Sequence, residues 1–262
     1  MIDIYESKFI LVYSLVLSFI LGSVFGSFLN CVADRIKDNL PWWKGTSKCD
    51  NCGHKLSILD LFPIFSYIFL KGKCRYCGKK MGIKYLISEL SLGLLFMFFL
   101  INHPELNLDL IDSLGFICVL FGLSLCDLNT YEIPDGFIIF GIVWWLAFRF
   151  IRGFDIKQIG LSVLFGFIVA FVVLLLSLIL DKILKKETLG GGDIKLLFLC
   201  GLYLDLVGSL FNIFFACILG LVFILLLKKD KIPFGPCISM ATYFSLIYGT
   251  SLLSWYYSLF LI

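Results

Sequence analysis

Long apolar segments recur along this chain and constrain its fold more than any other feature. A transmembrane helix needs about 20 apolar residues, because each residue rises ~1.5 Å and the hydrocarbon core is ~30 Å thick. Sixty per cent of the 262 residues are hydrophobic, more than a soluble domain can bury. The sequence therefore predicts an all-α polytopic membrane protein of about eight transmembrane helices. The segments lie near residues 8–32, 84–101, 112–126, 136–151, 158–180, 193–205, 208–227 and 236–259.

The first apolar segment, 8–32, is too long for a cleavable signal peptide and lacks a small-residue cleavage site, so we expect the first transmembrane helix there. A polar segment, 33–83, follows it and is predicted to form a small domain inserted before the remaining helices of 84–262. Residues 58–70 within it are apolar and aromatic but too few to cross a bilayer. We expect them either at the membrane interface or in the core of the small domain.

The distribution of Lys and Arg predicts the orientation. If 33–83 is cytoplasmic, the inside segments hold eleven cations in 33–84, four in 181–195 and three in 228–231. Only four of the 22 cations then lie outside. The positive-inside rule therefore favours a multi-pass protein with its N-terminus outside.

Four of the ten cysteines lie in the polar segment as two CxxCG repeats separated by 21 residues, namely Cys49, Cys52, Cys74 and Cys77. Each repeat can form a tight turn with two thiolates aimed at one ion, and the Gly permits a left-handed residue after them. Four thiolates are the ligand set of a structural zinc site. Disulfides are the alternative, disfavoured on a reducing cytoplasmic side. The six other cysteines are interpreted as small core residues.

Basic residues flank the cysteines, and His54 follows the first pair. The cations can keep the thiols ionised and attract anionic lipid headgroups, or they can simply be a solvated face and an orientation signal. His54 is a fifth candidate ligand or a surface residue. The basic residues are Lys48, Lys55, Lys71, Lys73, Arg75, Lys79 and Lys80.

Two aspartates stand at predicted membrane boundaries. Asp127 ends the third apolar segment, and Asp193 follows three glycines at the start of the sixth. Both fall on the predicted cytoplasmic side, where they can face each other. Two adjacent carboxylates share a proton, so one can act as a base on water while the other polarises a carbonyl. The triple glycine would let the backbone unwind and an extended substrate approach.

Other interpretations of the aspartates remain open. Asp135, in Ile133-Pro134-Asp135, is predicted to be a helix N-cap. Asp193 can also be a capping residue, and Asp127 an ordinary boundary residue. A transporter or ion channel that relays cations through buried aspartates is the alternative function.

Six motifs in order make the chain resemble the type IV prepilin peptidases, which are GxGD membrane aspartic proteases. The resemblance covers most of the length. The motifs are Gly26-Ser27-Phe28-Leu29-Asn30 with Arg35, the two CxxC pairs, Gly72-Lys73-Cys74-Arg75 with Glu89-Leu90, Asp127 before Ile133-Pro134-Asp135, Gly190-Gly191-Gly192-Asp193-Ile194-Lys195-Leu196, and Ile232-Pro233-Phe234-Gly235-Pro236.

The resemblance implies an endopeptidase of the bacterial inner or cytoplasmic membrane that removes the basic leader of prepilins or pseudopilins at the cytoplasmic face. It also implies methylation of the new N-terminus with S-adenosylmethionine, and work alongside a pilus or secretion machinery. Asp127 and Asp193 would be catalytic, with Gly190, Gly192 and Lys195 in the active-site loop. The four cysteines would bind zinc in the methyltransferase part, 33–83, and 84–262 would be the peptidase domain. The motifs identify no methyl-donor residues. A third hypothesis is a zinc-anchored assembly protein without catalysis.

Overall fold

Eight helices of 13 to 30 residues coincide with the eight predicted segments in the residues that the computed structural model describes, which are 2–42, 45–49, 51–186, 189–228 and 232–260. A short helix, α2, lies in the polar segment, and two-residue strands β1 (Ile2–Asp3) and β2 (Glu105–Leu106) pair antiparallel. The helices are α1 (Lys8–Lys37), α2 (Phe65–Phe69), α3 (Lys84–Asn102), α4 (Leu108–Thr130), α5 (Asp135–Ile151), α6 (Ile156–Leu184), α7 (Gly191–Tyr203), α8 (Leu206–Leu227) and α9 (Gly235–Phe260).

Five of these helices, α1, α3, α4, α6 and α8, are long and apolar enough to cross a membrane. The 13 residues of α7 rise only about 20 Å, less than the hydrocarbon thickness of ~30 Å. The all-α polytopic prediction is confirmed, while the count of eight spans is approximate because α5 and α7 are short.

Helix α1 extends beyond the predicted boundary at residue 32. The Ser7 hydroxyl caps its start by accepting from the Phe9 N–H (3.2 Å). Arg35 and Lys37 lie in its last turn, where cations interact favourably with the helix dipole. The first five residues of the predicted polar domain are therefore helical, because they continue a turn that the dipole stabilises.

Residues Met1–Leu114 form one compact unit, in which α1 packs antiparallel on α3. Small residues allow a very close approach of the two backbones. A Cβ on Gly22 would lie 2.6 Å from the Leu92 carbonyl oxygen, and one on Gly26 would lie 2.7 Å from the Ser88 carbonyl oxygen. Close contact through small residues is a common way for helices to associate where lipid removes the hydrophobic driving force.

Residues Gly115–Ile262 form a second compact unit with its own core. Helix α7 is central to it because four other helices, α5, α6, α8 and α9, pack around its short length. The start of α7 is thereby held against its neighbours. Fully buried members of this core are Phe116, Leu123, Leu196, Leu199 and Ile238.

Burial tests the interpretation of the six scattered cysteines as core residues. Cys126, Cys200 and Cys237 are buried as predicted, Cys31 and Cys118 are half-buried, and Cys217 is exposed. The core interpretation was wrong for Cys217 because its face of α8 turns away from the protein interior.

The predicted division at residues 33 and 84 follows polarity rather than compactness, and as a functional division it stays a prediction.

Candidate active site and metal centre

The two CxxCG repeats fold into matching turns. The Gly53 N–H donates to the Cys49 carbonyl (2.9 Å), and the Gly78 N–H donates to the Cys74 carbonyl (2.9 Å). Both glycines have left-handed backbones, with φ of 67° and 71°. A residue with a Cβ rarely adopts this conformation, so Gly is required at both positions.

The turns bring the four predicted metal ligands together. Every Sγ atom of the set lies within 4.8 Å of the others, and the Cys49 and Cys77 Sγ atoms are 3.9 Å apart. Tetrahedral zinc with bonds of ~2.3 Å needs sulfur atoms about 3.8 Å apart, so the set fits zinc. The backbone N–H groups of Cys52 and Asn51 lower the pKa of the Cys49 thiol to about 7, which favours the metal-binding thiolate.

A buried carboxylate, that of Asp60, stabilises this module. Asp60 accepts from the Ser57 hydroxyl (2.7 Å) and the Tyr76 hydroxyl (3.1 Å), and it pairs with the Arg75 Nε (2.7 Å). Burial alone would raise the pKa of Asp60, but these donors and the Arg75 charge outweigh it and lower that pKa. Asp60 thus ties the turn at 57–60 to the second cysteine repeat.

His54 does not join the thiols. Its ring packs against the Tyr76 ring at an angle of 33° with centroids 3.6 Å apart, and it is exposed. The metal-ligand alternative for His54 therefore has no support, whereas the surface interpretation agrees with the structure.

The second unit contains the aspartate pair. Asp127 is buried near the end of α4, where its Oδ2 accepts from the Gly235 N–H (2.7 Å) at the start of α9. Asp193 lies in the first turn of α7, close enough for its carboxylate to interact electrostatically with that of Asp127. Residues 66 positions apart in sequence are thus brought together by the packing of helix ends.

Asp193 also contacts the backbone of Gly190, the N-cap of α7. A carboxylate at the third helical position that reaches back to the N-cap backbone is one half of a capping box. The capping interpretation of Asp193 therefore agrees with the structure, and it does not conflict with proximity to Asp127, because the two oxygens can meet different partners.

The triple glycine does not unwind, contrary to expectation. Helix α7 begins at Gly191, so Gly191 and Gly192 are both helical. Gly192 is required for packing, because a Cβ there would lie 2.9 Å from the Ile133 Cβ. A Cβ on Gly191 would meet nothing within 4 Å, so its backbone is open to a ligand. The glycines provide access through small size rather than through irregular backbone.

The predicted N-cap role of Asp135 was wrong. The N-cap of α5 is Pro134, and Asp135 is the first helical residue. Its Oδ1 instead pairs with the Lys195 Nζ at 2.6 Å. Together with the contact between Ile133 and Gly192, this pair fastens the segment before α5 to the start of α7.

Sequence reasoning missed the roles of two residues in this unit. Gly235 was noted only as part of a motif, although its N–H orients Asp127. Cys237, in the first turn of α9, is buried within electrostatic range of both carboxylates. The available signal in the sequence was a glycine directly before a proline at the start of the last apolar segment. That pattern indicates close packing but does not identify the packing partner.

The fold and the two sites define a polytopic membrane protein with an adjacent pair of aspartates and a separate four-thiol centre. Residues 20–103 match the model of the bacterial peptidase A24 N-terminal domain, and residues 114–225 match the type IV leader peptidase family. The chain belongs to the type IV leader peptidase family.

Several curated relatives carry the name prepilin leader peptidase/N-methyltransferase. The protein of Bacillus subtilis is 30% identical over 91% of this chain and 96% of its own length. The protein of Vibrio cholerae is 32% identical over 70% of this chain and 74% of its own length. The protein of Myxococcus xanthus is 30% identical over 83% of this chain and 64% of its own length. No solved structure matches the chain. These comparisons lend no support to the transporter alternative.

Proposed function

We propose that this protein is a membrane aspartic endopeptidase that removes the leader of prepilins or pilin-like proteins and N-methylates the new N-terminus. The observation that carries the proposal is that Asp193, in the first turn of α7, lies within electrostatic range of the buried Asp127 carboxylate. The names of the family relatives support the substrate class and the second activity.

In the proposed cleavage, the two carboxylates share one proton. The ionised carboxylate removes a proton from water, whose oxygen attacks the scissile carbonyl carbon, while the protonated carboxyl donates to the carbonyl oxygen. The C–N bond then breaks, and the leaving nitrogen takes a proton to become the new N-terminal amine. The Gly235 N–H orients Asp127 for these transfers, since it holds one carboxylate oxygen at 2.7 Å.

The loop residues serve this chemistry by position. Gly190 caps α7 beside Asp193, and Gly192 lets the loop pack on Ile133. Lys195 holds the loop to Asp135 through its ion pair. The open backbone at Gly191 gives an extended peptide room to approach the carboxylates.

We assign zinc a structural role in the four-cysteine module. Cys49, Cys52, Cys74 and Cys77 would hold it, and four thiolates complete its tetrahedron without an open position. S-adenosylmethionine would supply the methyl group. We assign that donor to no residue.

The location follows from the charge distribution. We propose that the four-cysteine module and the aspartates face the cytoplasm, with the N-terminus outside, because most Lys and Arg lie in the segments then inside. Pilin substrates would reach the enzyme there before assembly by a pilus or secretion machinery.

The test is incubation of the purified protein with a candidate prepilin, with and without S-adenosylmethionine, followed by mass spectrometry of the product N-terminus. Asp127→Asn and Asp193→Asn should each reduce cleavage by about 10³-fold or more, because each removes an acid–base group. Asp38→Asn, at the exposed end of α1, is the matched control. Normal cleavage by both dyad variants would refute the proposal.

The metal assignment is tested separately. The protein purified without chelator should carry about one zinc per chain, and Cys49→Ser with Cys52→Ser should abolish it. Cys217→Ser is the matched control, because Cys217 lies outside the four-thiol set. Unchanged zinc in the double variant would contradict the assignment without affecting the peptidase proposal.

A further inference from the structure

An apolar patch is exposed on residues 58–70, between the two cysteine repeats. Ile58 is 86% exposed, Phe69 79%, and Phe62 and Phe65 are each 56% exposed. The three phenylalanines are continuous, with ring centroids 5.7 Å apart for Phe62–Phe65 and 6.5 Å for Phe65–Phe69. At roughly 200 Å² per ring they expose about 380 Å², as much as the largest apolar patch of a typical soluble protein. The expectation that 58–70 fills the core of the small domain is therefore wrong.

The patch is fastened to the transmembrane helices below the charged membrane boundary. The Ile64 N–H donates to the Glu89 Oε2 at 2.6 Å. Glu89 lies five residues into α3, so its Cα is about 7.5 Å along the helix from Lys84. The Lys84 ammonium pairs with Asp34, near the end of α1, at 2.6 Å. Because charged residues are costly inside a bilayer, this pair is expected at the membrane boundary.

Helix α1 places the backbone at Glu89 somewhat deeper. That backbone packs on Gly26, where a Cβ would lie 3.1 Å from the Glu89 Cα. Gly26 is eight residues, or about 12 Å, before Asp34 along α1. Side chains lean towards the helix N-terminus, so the Glu89 carboxylate lies nearer the boundary than its Cα. The two counts together place Ile64 near the depth of ~5–10 Å that an interfacial segment penetrates.

The backbone N–H groups of the segment have acceptors, as a poorly hydrated site requires. Ile64 has φ of 65°, a strained conformation for a β-branched residue, and strain of this kind persists only where the surroundings enforce it. A buried N–H without a partner is costly in lipid, and Glu89 provides the acceptor. Other donors pair within the segment, namely the N–H groups of Phe65, Ser66, Ile68 and Leu70 and the Ser66 hydroxyl.

Exposed lysines flank the patch. Lys55 precedes it, and Lys71 and Lys73 follow it directly. Apolar side chains bordered by cations match the interface of an anionic leaflet, where each cation near the surface adds about 1 kcal/mol. This charge pattern favours lipid over an apolar peptide segment as the occupant.

We propose that residues 58–70 insert into the anionic leaflet beside α1 and α3, and that Glu89 is the positioning residue that holds the inserted turn. The insertion would also dock the four-cysteine module on the membrane. The segment and the second repeat are linked, because the Gly72 N–H donates to the Tyr67 carbonyl (2.8 Å) and a Gly72 Cβ would lie 2.9 Å from the Tyr67 hydroxyl oxygen. The proposal is independent of catalysis.

The test uses the full protein in phosphatidylglycerol nanodiscs that contain a phospholipid with a photoreactive diazirine in its acyl chain. Labelled peptides are located by mass spectrometry. Peptides containing Phe62, Phe65 and Phe69 should be labelled about tenfold more than the peptide containing Tyr76, because the acyl-chain probe is excluded from water. Phosphatidylcholine nanodiscs should reduce that labelling several-fold, since they lack anionic headgroups.

Two variants separate insertion from folding. Phe65→Ser with Phe69→Ser should lower the labelling of 58–70 while the zinc content stays at one per chain. Glu89→Leu should lower it as well, whereas Glu89→Gln, which retains an acceptor, should preserve it. Equal labelling of the two peptides would overturn the proposal. The proposal would also be overturned if the lipid probe did not label the segment and the segment became protected only after a prepilin peptide was added. That result would identify a substrate-docking surface.

Discussion

Gly235→Ala tests whether the backbone of α9 positions the aspartate pair. A Cβ at residue 235 would lie 2.8 Å from the Asp127 Oδ2 and 3.3 Å from its Cβ and Cγ. An ordinary carbon–oxygen contact is ~3.4 Å or more, so the carboxylate would have to move by about 0.6 Å. A displacement of 1 Å in an active site can cost about 100-fold, which predicts a loss of roughly 10-fold, or ~1.4 kcal/mol of transition-state stabilisation.

The assay is the rate of prepilin cleavage under single-turnover conditions, with melting temperature as a measure of folding. Gly249→Ala is the matched control, because Gly249 lies in the same helix and a Cβ there would meet nothing within 4 Å. It should leave cleavage unchanged. If Gly235→Ala cleaved as fast as the unaltered protein while remaining folded, the proposed orientation of Asp127 by α9 would be refuted.

Three further predictions concern the parts that hold the sites. Asp135→Lys or Lys195→Asp should slow cleavage several-fold, and the double exchange should recover part of the rate. Because the pair is half exposed, the melting temperature should change little. Asp60→Asn should speed zinc loss to EDTA several-fold, since it removes a buried charged acceptor worth about 1.5–3 kcal/mol. Gly26→Ala should lower the melting temperature by several degrees, whereas Gly160→Ala, with open space, should not. Equal melting temperatures for these two variants would contradict the close packing of α1 on α3.

Local pattern was sufficient for the broad architecture. Apolar segment length sets where helices cross a membrane, so the eight helices coincide with the predicted segments. The CxxCG repeats likewise encode their own turns, because the glycine that each turn needs stands next to its cysteines. These features depend on residues that are neighbours in the chain, and they can be predicted without knowledge of packing.

Contacts between distant residues were decided only by tertiary structure. The Asp127 carboxylate meets an N–H 108 positions away, and the partner of Asp135 is Lys195, 60 positions away. Composition also left 58–70 with two equal interpretations, a domain core or a membrane interface. The exposure of its phenylalanines excludes the domain core, and the bond from Ile64 to Glu89 supports the proposed membrane interface. The sequence shows that these residues are apolar and avoid water, but only their neighbours in space determine whether protein or lipid covers them.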